Sequence, residues 1–526
     1  MMAHLKHALL SALWVTSLAV SVSGCAMLDE FTQKFNPKQT VEETKLPDNW
    51  QAPLPHGGEI NNLNEFWQRY PNPVLLALIN SAQQHAPTLA TALANLADAK
   101  TNRVRANAAR LPKLDANASA TRALQQPEDM EFSGGQSNFG IINVPVNTTQ
   151  IGLQAAWELD LYGANKSLRD AYILQENAAK AGWHEARVAI AAEVATSYFN
   201  YILCQQQSAI KAQIVQSHAE TARLTEIAFG AGFSDSAKVS LAQANDADAR
   251  QQAIEQAGLC EVEIKNMVAL TYMNEQAVRQ KLAQAEVSTP ELDLNKLFII
   301  NEVPSQALAQ RPDVYRAELD LVSAAANVKK AAADRLPKVT LNGSIGWMRM
   351  TSDLFESQGR VWSLGPVSVS LPIFDGGELA ASKEAADARY VEAAAKYRGV
   401  IQTAVKETES ALVNLHSTGQ RQESVAIALQ KLTANNNAAE SRYKAGFASK
   451  IEVEETKRAL MNAQVSALAL QQGRANAWLN LYRAAGGGWE QDMPIMEQDN
   501  KQVSGLEVND YKASGDVAKE EITNAE

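Results

Sequence analysis

The sequence predicts an α+β membrane protein in which one unit is written twice, each copy supplying two amphipathic strands and a pair of long antiparallel helices. Three observations predict it. Motifs recur along the chain at fixed offsets, "RLPK" at 110–113 and 335–338 and "AGF" at 231–233 and 445–447. Next to each "RLPK" the residues alternate apolar and polar at period two, the mark of a strand with two different faces. Between the strands and each "AGF" no proline occurs from Gly163 to Phe229 or from Gly377 to Tyr443, each a separation of 66 positions. The 6% of aromatic residues among 526 favours such helices over one large globular core.

The N-terminus opens on a short segment with Lys6, followed by the apolar run "ALLSALWVTSLAV", too short to span a bilayer as a mature helix. "VSGCA" follows, and it resembles the lipobox of bacterial lipoproteins. The resemblance implies cleavage after residue 24 and acylation of Cys25; Ala26, where an Asp would resemble an inner-membrane retention signal, points to the outer membrane of a Gram-negative cell. The alternative is an ordinary signal peptide with an incidental cysteine. Residues 25–63 are then a lipidated N-terminal segment, 64–295 the first repeat, 296–488 the second and 489–526 a tail. The tail holds ten acidic and three basic residues, most of the net charge of −11, and reads as disordered.

In each repeat a helix opens on a proline, Pro87 or Pro312, and stops at Leu-Pro before the first strand. Strand hairpins are expected at about 112–162 and 337–376. In the second, Val339, Leu341, Ile345, Trp347, Val367, Val369 and Leu371 fall on one face and small polar residues, Asn342, Ser344, Ser368 and Ser370, on the other. In the first, Ile151, Leu153, Ala155, Trp157, Leu159 and Leu161 share a face, while "LDANASAT" alternates weakly. A barrel in lipid must close, because open edges leave backbone groups unpaired, and bacterial barrels begin at about eight strands. Four strands per chain therefore require more than one chain: two copies give a barrel filled by side chains, three give twelve strands and room for a pore.

The helices predicted at 163–229 and 377–443 would each run about 100 Å, and such a rod must pack along its length against partners. Each ends at a tip turn, 230–234 or 444–449, where Gly232 or Gly446 can take a positive φ and reverse the chain into a return helix. Ser234 or Ser236 in the first tip and Ser449 in the second are the expected caps of those return helices.

Five stretches together carry a family resemblance: "WELDLYG" (157–163), "QRPDVYRAELDLVSAAANVKKAAADRLPKVTLNGSIG" (310–346), "PIFDGGELAAS" (372–382), "YKAGFASKIEV" (443–453) and "LYRAAGGGW" (481–489). The chain resembles the TolC-like outer-membrane factors, in the lipoprotein (NodT-type) branch that serves resistance–nodulation–division efflux pumps. The resemblance implies a homotrimer with a 12-stranded barrel continuous with a periplasmic helical tunnel, and docking of the tip turns (Gly232, Phe233, Gly446, Phe447) to a periplasmic adaptor and, through it, an inner-membrane transporter. It also implies that the pump chooses the cargo. Glu452 and Glu455 fall where such proteins carry acidic aperture residues, often Asp, and Ile451 where related ducts have an apolar constriction. Lys238 and Leu241 occupy the equivalent places of the first repeat, so an aperture would use one repeat only. The alternative is a solvated helix face with an ordinary i,i+4 pair of Glu454 and Arg458. Cys204 and Cys260 lie 28 residues either side of Gly232 and so at one height in an antiparallel pair, which allows a disulfide in the oxidising periplasm. Two small buried thiols are the other reading.

An enzyme is not expected. The seven histidines form no metal-spaced pair, "HEAR" at His184 lacks the second His of a zinc helix, and no nucleophile elbow or phosphate loop is present. No cofactor and no nucleic-acid partner are expected. A type I protein-secretion duct and a pore-less coiled-coil lipoprotein are the competing functions; the lipobox and "PIFDGG" lean to efflux, and amphipathic strands have no use in a mere spacer.

Overall fold

Alternation at period two becomes one antiparallel sheet of four strands, in the order β1 (Lys113–Gln125), β2 (Val144–Leu159), β3 (Lys338–Thr351), β4 (Glu356–Ser370). The structure, a computed structural model, describes residues 35–44, 51–52, 72–125, 144–286, 308, 311–353 and 356–489. Cys25, the long "EDMEFSGGQSNFG" loop and the tail beyond Trp489 lie outside them. The helices are α1 (Pro37–Glu43), α2 (Pro73–His85), α3 (Pro87–Ala108), α4 (Ala164–Gly230), α5 (Ser236–Thr271), α6 (Glu275–Glu286), α7 (Pro312–Ala333), α8 (Glu378–Lys444) and α9 (Lys450–Ala484). The long helices α4 and α8 have 67 residues each. Among the described residues no helix is long and apolar enough to cross a membrane.

The described residues fall into two units. The first takes in 35–44, 97–125, 144–179, 316–353 and 356–400. Its sheet joins the two repeats through β2·β3, with Gly152 directly opposite Gly346. A Cβ on Gly346 would lie 2.5 Å from the Ile151 carbonyl oxygen and 2.9 Å from the Gly152 Cα, so the strands approach where only glycine fits. In the same unit the N-terminal segment lies on α8: the Phe35 ring meets Tyr390 edge-on at 5.1 Å, Lys383 sits 5.6 Å from the Phe35 centroid, and Thr40 and Tyr390 share a 3.0 Å hydrogen bond.

The second unit takes in 51–52, 72–96, 180–286, 308, 311–315 and 401–489. Its core gathers Leu75 and Leu78 from α2, Trp183 and Tyr198 from α4, Met267 from α5, Leu282 from α6 and Trp478 and Leu481 from α9, all buried. Helix α2 begins where the Asn72 side chain accepts hydrogen bonds from the amides of Val74 and Leu75, and its Nδ2 donates to the buried Tyr198 hydroxyl at 2.7 Å. Burial raises the Tyr198 pKa, outweighing the lowering effect of that hydrogen bond. Trp489, read from the sequence as the first residue of the tail, is buried instead; its ring lies 5.3 Å from that of Tyr315, since an indole gains too much from burial to be left in a solvated segment.

Candidate functional site

Two surfaces carry the chemistry the sequence points to, one in each unit. The first is the sheet. The strand register sets Leu114, Ile151, Leu153, Trp157, Ile345 and Trp347 on one face. The other face carries Asn117, Ser119, Gln150, Gln154, Asn342 and Ser344, small or uncharged groups that bond one another, as Ser344 does with Ser363 at 2.8 Å and Asn117 with Gln154 at 3.2 Å. Much of the apolar face is exposed, Trp362 at 75% and Leu364 at 90%. A soluble surface rarely shows so continuous an apolar patch.

Sequence alternation reached β4 only at "VSVSL". The strand runs back to Glu356, but Trp362 and Leu364 are out of step with Val367 and Val369. The register explains it: Leu341 pairs with Val367 and Gly343 with Leu364, so β4 carries one extra residue at Gly365-Pro366. That bulge, with Gly365 at φ +105° and a cis peptide before Pro366, returns all four apolar residues to one face. The Gly-Pro pair inside a strand pattern is the signal that could have found it.

The second surface is the pair of helix tips. Both copies of "AGF" form the same helix end: the Gly232 amide donates to Phe229 O (2.9 Å) and the Phe233 amide to Ala228 O (2.8 Å), while the Gly446 amide donates to Tyr443 O (2.9 Å) and the Phe447 amide to Arg442 O (2.8 Å). This is the Schellman arrangement, which needs a left-handed residue at the glycine; φ is +79° at Gly232 and +81° at Gly446. Phe233 and Phe447 follow and are exposed. Ser449 caps α9, its hydroxyl accepting from the Glu452 amide at 3.1 Å. The first return helix is capped by Asp235, not by Ser234 or Ser236; the carboxylate accepts from the Lys238 amide at 2.9 Å and also faces the Lys238 ammonium, a charge advantage at a helix N-terminus that a hydroxyl lacks.

Glu452, Glu455 and Ile451 lie on the first turns of α9. Glu452 meets Arg442 of α8 across the tip at 2.8 Å, and the same guanidinium donates to Phe447 O at 3.3 Å; Glu455 is exposed. Glu454 and Arg458 do not form the i,i+4 pair their spacing suggests, because α4 offers both better partners. Glu454 is buried and accepts from the Ser217 hydroxyl at 2.7 Å, with Lys450 at 3.1 Å, while Arg458 donates to Thr221 at 2.8 Å and Ser217 at 3.1 Å. Burial works to raise the Glu454 carboxyl, but Ser217 and Lys450 outweigh it and hold it below the ordinary glutamate value. Cys204 of α4 and Cys260 of α5 are joined, with Cα atoms 5.6 Å apart.

The sequence profile of the outer membrane efflux protein family matches residues 78–262 and 303–487, two stretches of equal length that together cover more than half of the chain. The chain is 28% identical over 453 residues to the pyoverdine export outer membrane protein OpmQ of Pseudomonas putida, across 85% of this chain and 93% of the relative. It is 24% identical over 484 residues to the cation efflux system protein CusC of Escherichia coli, across 90% and 98%. Among solved structures, the outer membrane protein VceC of Vibrio cholerae matches with a TM-score of 0.68 at 26% identity, covering 81% of this chain and 98% of that one.

Proposed function

The chain belongs to the outer membrane efflux protein family, and on that premise we propose that its sheet is the membrane-crossing part, and its long helix pairs the periplasmic conduit, of the exit duct of a tripartite efflux pump in a Gram-negative outer membrane. The observation that carries the reading is the sheet, with an exposed apolar face, a small polar face and two open edges. The first face suits lipid and the second suits water. The edges must be closed by other copies, and three copies give twelve strands, enough to enclose a lumen. Purified protein in planar bilayers should give discrete conductance steps; folded protein that never conducts would make it a spacer instead.

The second tip is the resting aperture in this reading. Three copies bring six carboxylates, Glu452 and Glu455, together with Ile451, and clustered carboxylates attract cations and repel one another. Arg442 holds each Glu452 in place. In the Glu452→Gln, Glu455→Gln double variant the resting conductance rises, and cation preference and divalent-ion block weaken. If all three stay as in the parent, these residues do not line the aperture.

The exposed Phe233 and Phe447 offer apolar anchors for a periplasmic adaptor, which hands the duct whatever an inner-membrane transporter selects. The Phe233→Ala, Phe447→Ala variant should assemble normally and lose co-purification with the adaptor; retained binding would place docking elsewhere. Acylated Cys25 tethers the mature N-terminus, and the Cys204–Cys260 bond clamps α4 to α5. Mass spectrometry of unreduced mature protein checks both: an N-terminal lipidated Cys25 peptide and a linked Cys204–Cys260 peptide are expected, and an unmodified Cys25 or free thiols at 204 and 260 would refute them.

A further inference from the structure

One histidine of α4 stands between two helix contacts. The bond between Cys204 of α4 and Cys260 of α5, with Cα atoms 5.6 Å apart, fixes the register of that antiparallel pair. Gln207 and Gln256 keep it one turn nearer the tip, bonded at 3.3 Å. Seam positions of packed helices recur every seven residues. Two heptads, 14 residues, carry the cysteine pair onto His218 and Asp246, each also 14 residues from Gly232. This second pair is unfinished. The His218 ring is half-buried and makes no hydrogen bond to a described residue. Asp246 Oδ2 accepts from the Arg250 guanidinium at 2.9 and 3.0 Å, but its Oδ1 is buried without a partner among the described residues. A buried carboxylate oxygen left so is costly, and a proton donor beside it would be favoured.

Ser217, next to His218 on α4, belongs to the other contact. With Thr221 it accepts from the Arg458 guanidinium of α9, at 3.1 and 2.8 Å. The imidazole therefore has a cation on one neighbouring helix and an incompletely bonded carboxylate on the other. We propose that His218 is a proton-operated switch: with a neutral ring α4 is held to α9 through Arg458, and with a protonated ring it is held to α5 through Asp246 at the expense of α9. Histidine is the side chain suited to such a change near neutral pH, and two competing contacts supply the two states it selects between.

The charges around the ring set the direction. From α5 come Asp246 and Asp248, the latter accepting from Gln252 at 2.8 Å, and Arg250, which Asp246 holds. From α9 comes Arg458, on whose guanidinium Glu455 and Glu454 act in turn. On α4 itself Glu220 and Arg223 are paired with each other at 2.8 Å. Burial and Arg458 hold the His218 pKa below its ordinary value, outweighing the two aspartates that act to raise it. The native contact thus favours the neutral ring. Its contribution is whole above the ordinary histidine value of about 6.5 and is lost as the pH falls through the lower native value. Once charged, the ring repels Arg458 and offers Asp246 Oδ1 a donor. Helix α9 carries Glu452 and Glu455 on its first two turns. On the reading of the second tip as the aperture, on which this consequence rests, acid at the tips frees those turns and widens the resting duct.

The experiment compares full-length protein at about pH 7.5 and about pH 5.5, either side of the ordinary histidine value. Amide exchange, corrected for the intrinsic effect of pH, reads the hold on α9 in a peptide covering 450–461 and the hold on α5 in one covering 240–250. Planar bilayers read the resting conductance. In the parent, acid should speed exchange in the α9 peptide several-fold, leave the α5 peptide as protected or more so, and raise the resting conductance. His218→Gln keeps a polar side chain that cannot charge; its α9 exchange should stay as at neutral pH, and most of the conductance rise should vanish. Asp246→Asn should move the parent's response to lower pH, because the charged ring loses its carboxylate. Unchanged α9 exchange in the parent overturns the switch whatever the variants do. An equal acid response in the His218→Gln variant overturns it as well, by assigning the response to other groups. Exchange in α9 that quickens through His218 while the conductance stays flat supports the switch and overturns the aperture reading.

Discussion

Replacing Arg311 by Met should cost about 1–3 kcal/mol of stability, the loss of a buried donor's hydrogen bonds to charged and carbonyl partners. Arg311 is 5% exposed, and its guanidinium ties three elements of one unit together. It forks onto Asp313 at the start of α7 (2.8 and 3.0 Å), reaches Glu407 of α8 at 2.7 Å, and donates to the Ala484 carbonyl at the end of α9 at 3.0 Å. The last contact satisfies one of the orphan carbonyls of a helix C-terminus. Met fills the volume but leaves that carbonyl without its donor and Asp313 with only the Val314 amide. Lysine keeps the charge but not the fork, and should lose part of the same energy. Denaturant unfolding in detergent reads the effect, with Glu407→Gln as a milder reference because it weakens one arm. Wild-type stability in the Met variant would show that the cluster contributes nothing net.

Replacing Gly346 by Ala should be as damaging, by a different route. The added methyl would meet backbone of the neighbouring strand, the Ile151 carbonyl and the Gly152 Cα, which cannot swing aside as a side chain could. The strands must part at the seam between the two repeats, at a cost of about 1–3 kcal/mol per copy. Heat-resistant oligomer on native-type gels and bilayer conductance should both collapse. Gly359→Ala is the control: it lies on the neighbouring strand with nothing within 4 Å of the new Cβ, and should behave as the parent. Normal assembly of the Gly346 variant would mean that the sheet relaxes more freely than its geometry implies.

What the sequence disclosed, and what it hid, divides along a physical line. Period-two alternation exposed the two faces of β2 and β3, because side-chain direction in a strand is a local property. The upper half of β4 escaped, since one bulged residue reverses the parity that the eye follows. Equal spacing exposed the twin tips, because a Schellman turn is built within six residues. The partners of Glu454 and Arg458 were misread, since their contacts with Ser217 and Thr221 join residues 237 positions apart or more. Arg311 gave no local sign of its role beyond a charged residue placed before a helix-opening proline. Nor does anything in "LNGSIGW" say that its second glycine faces another glycine on the strand of the other repeat.

Doubling the unit within one chain also breaks a symmetry. Around the six tips of the proposed trimer, a single-unit chain would have to repeat every tip residue at each place. Fusion halves that obligation: in the proposed trimer a substitution in one tip appears three times and leaves the other three tips alone. The two "AGF" turns share one backbone design, yet Asp235 caps where Ser449 does, Lys238 stands where Glu452 does, and Leu241 where Glu455 does. Selection can therefore retune the charge of one set of tips without disturbing what the other set must recognise. A duplicated gene gains from its second copy a licence for its halves to disagree.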